Sequence, residues 1–119
     1  GRKVVYCPDS ELAREDEELS GDYEDKLRRF ASGADVLVHD AALSPEDRAR
    51  GEGSGHSSWK EALRLAVDCG ARRLVLFHLD GGYPDGKLEA FEKAARERAA
   101  EEMTSIEVRM AREGESIAV

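Results

Sequence analysis

Three apolar runs in this 119-residue chain each finish on side chains able to bind a metal ion or carry a proton. "KVVYC" runs into "PDS", giving Asp9; "ADVLV" is followed by "HD", giving His39 and Asp40; "RRLVLF" is followed by "HLD", giving His78 and Asp80. The third histidine, His56, stands in "SGHSSWKEAL" on the loop that feeds a helix. In open parallel sheets the carboxyl ends of the strands line the ligand crevice, so these residues are expected along one edge. Imidazole nitrogens and carboxylate oxygens gathered there suit a hard or borderline metal ion such as Zn, Mn or Fe. Each residue also has a structural reading. Asp9 after Pro8 serves to fix a turn, His39 is a satisfied, half-buried histidine, and Asp80 and Asp85 are a turn residue and an N-cap. That account needs a separate reason at every position, whereas a shared edge needs one.

The elements that must position these groups are legible in the apolar pattern. The three runs lack polar alternation, as expected for strands covered on both faces. Between them, residues 23–32 carry Leu27, Phe30 and Ala31 on one helical face, with Gly33 as C-cap. Ser58 followed by Glu61 reads as a capping box, opening a helix with the stripe Trp59, Ala62, Leu63 and Ala66 that Gly70 ends. A third helix starts near Asp85 and shows Leu88, Phe91, Ala95, Ala99 and Met103 at helical spacing. "SIEVRM" and "SIAV" around "REGE" suggest a terminal β-hairpin with Gly114 in its turn. Residues 44–57 read as a long polar loop. The order β-α-β-α-β-α-β-β means an α/β architecture with a largely parallel core.

Composition narrows the class. Hydrophobic residues make up 40% and charged residues 37%, which fits a folded domain with one modest core. No apolar run is long enough to cross a bilayer and no membrane partner is expected. Cys7 and Cys69 stand far apart in no CxxC pattern and read as buried, reduced thiols of a cytoplasmic protein. The net charge of -8 shows no basic face of the kind a free-standing nucleic-acid binder presents.

Taken together, "YCPDSE", "ADVLVHDA", "GHSSWKEALRLA" and "RRLVLFHLD" followed by "YPD" resemble the C-terminal half of metallo-β-lactamase-fold hydrolases. The nearest branch is the phosphodiesterase-like one that includes ribonuclease Z relatives, and the likeness extends to the closing "AREGESIAV". The resemblance implies that residues 1–119 form half of an αββα sandwich and act in metal-dependent phosphodiester hydrolysis. It implies a dinuclear centre of divalent ions, with zinc expected and manganese or iron the alternatives. Asp9 matches the aspartate that bridges the ions, and His78 matches a histidine that ligates one of them. Asp40 matches the acid of the family's histidine-acid motif, the partner of the "GHSS" histidine, His56, which faces the scissile phosphate. In that arrangement Asp40 orients the imidazole and His56 holds a proton for the leaving oxygen.

Two departures stand against the family pattern. The HxHxDH segment that carries most metal ligands is absent, as is a second upstream histidine, so an N-terminal half of the same fold is expected as a partner. Gly81 stands where many relatives have proline. Alone, the chain should expose an apolar sheet face and self-associate into homo-oligomers, bind at most one metal weakly, and show no hydrolysis. The acidic balance favours a small phosphodiester such as a cyclic nucleotide over tRNA. The first rival is a non-catalytic binding or assembly module that has lost the ligand-bearing half. A second rival, a complete doubly wound receiver-type domain, lacks its acidic pair after the first strand and its lysine ending a late strand.

Overall fold

A computed structural model describes residues 2–7, 12, 22–49, 56–77 and 84–112. The strands are β1 (Val4–Cys7), β2 (Val36–Asp40), β3 (Arg73–Phe77) and β4 (Glu107–Met110); the helices are α1 (Asp22–Phe30), α2 (Pro45–Ala49), α3 (Trp59–Cys69) and α4 (Asp85–Glu101). The sheet runs β1-β2-β3-β4 with every neighbouring pair parallel. Because spatial order follows chain order and parallel crossovers are right-handed, each connecting helix falls on the same side of the sheet.

The register makes that asymmetry visible in the side chains. Val5, Leu37, Leu74 and Val108 lie side by side, as do Cys7, His39, Leu76 and Met110. These rows pack with Leu27 and Ala31 of α1, Trp59, Ala62, Leu63 and Ala66 of α3, and Phe91, Ala95 and Ala99 of α4 in one core. Successive residues point to opposite faces, so Val4, Tyr6, Val36, Val38 and Val75 form the other side. The edge of that side is open, as expected for the chain alone: Val4 is 53% and Tyr6 60% exposed. The Tyr6 ring meets Phe77 edge-on, ring centres 5.7 Å apart. No described helix covers this face, which the one-directional topology explains and which sets the sheet apart from a doubly wound receiver-type domain.

The best-specified element is α3. Ser58 is its N-cap, its hydroxyl accepts from the Lys60 N–H, and the Glu61 carboxylate answers to the Ser58 backbone N–H. Gly70 ends it in the left-handed conformation, φ 72°, which costs a residue without a Cβ nothing. At the far edge Glu92 of α4 accepts from the Met110 N–H at 2.6 Å, and Arg96 donates to the Val108 carbonyl at 2.7 Å.

Three details of the sequence reading are corrected. Phe30 is 66% exposed against the Lys3 ammonium, because α1 turns Glu24, Leu27 and Ala31 inward and Glu24 pairs with Arg64 at 3.2 Å. Met103 is 92% exposed beyond the end of α4, in a left-handed turn (φ 57°) where the chain reverses towards β4. The region read as a polar loop holds α2, whose signal is Ser44 before Pro45 with Glu46 and Asp47 in the first turn. The "SIEVRM" strand is β4; its hairpin partner "SIAV" lies outside the described residues. Among the described residues no helix is long and apolar enough to cross a membrane.

These burials predict opposite responses to truncation. Leu37→Ala or Leu74→Ala, each removing a fully buried side chain, should lower the unfolding free energy by about 2–5 kcal/mol. Phe30→Ser and Met103→Ser should stay within about 0.5 kcal/mol of the parent. Equilibrium urea unfolding distinguishes the two classes.

Candidate proton-relay site

β2 carries its chemistry at its carboxyl end, where two consecutive residues take opposite sides of the sheet. His39 points into the core, and Asp40 shares the side of Val36 and Val38. Both are fully buried. A buried carboxylate is tolerated only where its oxygens are satisfied. Asp40 Oδ1 accepts from the Ala42 N–H at 2.8 Å, and Oδ2 accepts from His56 Nδ1 at 2.8 Å. A carboxylate can only accept, so Nδ1 of His56 carries the proton and Nε2 is its remaining functional atom. The His56 side chain keeps 31% of its surface exposed, so the ring joins a buried charge to solvent.

The loop that presents His56 is held by its neighbours. Ser57 and Ser58 are fully buried; Leu43 forms a parallel bridge with Ser58 and donates its N–H to the Ser57 carbonyl at 3.2 Å. His56 stands two residues before the N-cap of α3. A part-exposed ring held in one tautomer by a buried acid can accept or deliver a proton at Nε2.

His39 differs in kind. Its Nδ1 donates to the Asp40 carbonyl at 2.9 Å, and Nε2 has no partner among the described residues. Burial pushes its pKa below the ordinary histidine value, only partly countered by the Asp40 carbonyl and carboxylate, so the ring is held neutral. It is fully buried rather than half-buried, as its place between Cys7 and Leu76 requires.

Of the four residues singled out in sequence, Asp40 and His56 are brought together, whereas Asp9 and His78 lie outside the described residues, as does Asp80. Among the described residues no group of three or more His, Cys, Asp or Glu side chains could hold a metal ion. The described residues do not by themselves make a metal site. Cys69 is buried and Cys7 half-buried, both are free, and burial raises both thiol pKa values. An open depression of about 730 Å³ lined by Arg2, Arg72, Thr104 and Glu107 lies at the amino ends of the strands, opposite the relay. Its arginines are engaged by acids: Arg2 and Arg72 by Asp35, and Arg73 by Glu107. The sequence reading passed over Arg48, Ser57 and the further partners of Glu61; only the Ser44-Pro45 helix start could have drawn attention to the first.

A family model described as "Beta-lactamase superfamily domain" matches residues 1–79. The ribonuclease Z of Porphyromonas gingivalis is 34% identical over 84 residues, covering 71% of this chain and 24% of that protein. The ribonuclease Z of Archaeoglobus fulgidus is 32% identical over 112 residues, covering 91% and 33%. The chain thus spans between a quarter and a third of the length of these curated relatives. Among solved structures, the metallo-beta-lactamase fold protein YhfI from Bacillus subtilis superposes with a TM-score of 0.66 at 27% identity, covering 94% of this chain and 37% of that one.

The state of His39 makes a pH prediction. Its folded pKa lies below the unfolded value of about 6.5, so below that pH the unfolded chain takes up a proton that the folded chain refuses. Its contribution to stability is complete above about pH 6.5 and is lost as pH falls towards the folded pKa, at up to about 1.4 kcal/mol per pH unit. His39→Leu should flatten the acid limb of a stability-versus-pH curve by that slope. An unchanged slope would mean that His39 is charged in the fold.

Proposed function

This chain belongs to the beta-lactamase superfamily, and from that premise we propose that it contributes the proton relay of a metal-dependent phosphodiester hydrolase. The observation that carries this reading is the buried Asp40 carboxylate accepting a 2.8 Å hydrogen bond from His56, whose ring reaches solvent beside the strand ends. His56 faces the scissile phosphate and gives its Nε2 proton to the departing oxygen, and Asp40 stabilises the imidazolium and fixes the ring.

The fold implies divalent metal ions. When bound they supply Lewis acidity towards the phosphoryl oxygens and activate water. Asp9 and His78 are the ligands proposed on this chain, zinc the proposed metal, and an N-terminal half of the fold the proposed source of the remaining histidines. That half would also cover the sheet side bearing Val4 and Tyr6, whose exposure supports the pairing. RNA is the substrate class to test first, because relatives at 32–34% identity are named ribonuclease Z. The net charge of -8 favours a second reading, a small phosphodiester such as a cyclic nucleotide.

In the full-length protein His56→Ala should lower phosphodiester turnover about 10²–10⁴-fold with metal content retained. Asp40→Ala should resemble it, and the double variant should fall short of additivity because the two act as a unit. Asp9→Ala and His78→Ala should lose metal along with activity. Assays on single-stranded RNA and on a cyclic nucleotide, with metal analysis of each variant, test these roles; undiminished turnover of His56→Ala would remove the relay.

The exposed sheet side generates a second expectation. The 119-residue chain alone should self-associate or exchange elements between copies at micromolar concentration, and a separately expressed N-terminal half should reverse this. Sedimentation reads the outcome, and a monodisperse monomer would overturn it.

A further inference from the structure

We propose that Arg48 and Glu61 are positioning residues for His56: a buried ion pair that clamps the loop on which the imidazole stands. The proposal rests on the proton-relay reading of His56. α2 has the polar sequence PEDRA and would be expected to keep its long cation in water, yet Arg48 is the one residue it buries. The side chains of Arg48 and Glu61 are 8% and 4% exposed, with Nε 3.5 Å from Oε1. Burying such a pair is costly, and a capping box does not require it. Glu61 already accepts from the Ser58 N–H at 2.9 Å and the Ser58 hydroxyl at 3.0 Å, which satisfies the helix start without an arginine.

The remaining contacts of Arg48 show what the cation adds. Its Nη2 donates to the Leu12 carbonyl, and the Leu12 N–H donates to the Ser57 hydroxyl at 3.0 Å. Both backbone groups of Leu12 are therefore held from the relay side, one by the residue next to His56 and the other by the partner of Glu61. Leu43, three residues beyond Asp40, closes the assembly through its bridge to Ser58. The segment after Asp40, the segment before α3 and Leu12 thus form one knitted body, and Leu12 itself lies three residues past Asp9 in sequence. The pair holds His56 Nδ1 at its hydrogen-bonding distance from Asp40, in fixed register with Leu12.

The test is Arg48→Met in the full-length protein, with bis(p-nitrophenyl) phosphate as the probe substrate. kcat should fall on the order of 10²-fold while KM and metal content stay near the parent values. The hydrogen-bonded imidazole N–H resonance of His56, assigned by its loss in His56→Ala, should broaden or vanish. Arg48→Lys, which keeps the charge but loses the fork, should recover part of the kcat. Glu61→Gln keeps one oxygen to accept the Ser58 N–H, offers its NH2 to the Ser58 hydroxyl in place of the second oxygen, and removes the charge partner, so it decides the matter where Arg48→Met does not fold. Combined, the two changes should be no worse than Arg48→Met alone. Parent-like kcat in both single variants, or a kcat loss with the His56 resonance unaltered, would overturn the clamp. Full activity of His56→Ala would instead sink the relay, and the resonance would still decide whether the clamp holds the ring.

Discussion

The Asp40 carboxylate imposes the strictest requirement on this structure. It lies at the end of a central strand without contact to solvent, and a charge so placed must be met by donors that stay where they are. One donor is local, the Ala42 N–H, and follows from the turn that β2 makes as it leaves the sheet. The other is His56, sixteen residues further along. Everything that fixes the His56 loop therefore also serves the buried acid: the capped start of α3, the Leu43–Ser58 bridge, the serine hydroxyl held by Leu12, and the Arg48–Glu61 pair. Function and stability draw on the same contacts here, because the group that orients the histidine is also the one that could not be buried without it.

The sheet provides the platform through a simple regularity. Four parallel strands added in chain order place the described helices on one side, so α1, α3 and α4 share a core with one set of strand side chains. The other set is apolar but only partly shielded. Val36 and Val75 are buried, whereas Val4 and Tyr6 at the β1 edge are open. Such a sheet is an incomplete layer in the sense that its composition calls for a second cover that its own crossovers cannot supply.

Much of this was legible in the sequence because it is local. Capping chemistry at Ser58 and Glu61, the glycine stop at Gly70 and the uniform Val/Leu strands are written in neighbouring residues, and the structure follows them. Errors arose where a single stripe was extended past its packing partner. Phe30 sits at the correct helical spacing from Leu27, yet α3 meets α1 on the Glu24 side and draws an acid inward through Arg64. Met103 keeps the α4 period after the helix itself has ended. The Asp40–His56 pairing came from family resemblance rather than spacing, since no periodicity links residues on a strand end and a distant loop. The helix start at Ser44-Pro45 places Arg48 on a helix but does not signal its burial: the groups it meets there are Glu61 and the carbonyl of Leu12, thirty-six residues away.

The strand end also shows how one fold sets two histidines to different tasks. His39 and His56 both touch Asp40, one through its backbone carbonyl and one through its carboxylate. Where the ring is enclosed among Cys7 and Leu76, desolvation dominates and holds it neutral across the physiological range. At His56 the ring is part-exposed and its Nδ1 donates to the carboxylate itself. His39 also keeps its Nε2 lone pair, but that atom is sealed in the core where no proton donor or acceptor among the described residues reaches it, whereas the His56 ring is part-exposed and keeps its Nδ1 bond while Nε2 exchanges a proton. The difference lies in which atoms of Asp40 each ring meets, and strand alternation fixes that by sending consecutive residues to opposite sides of the sheet.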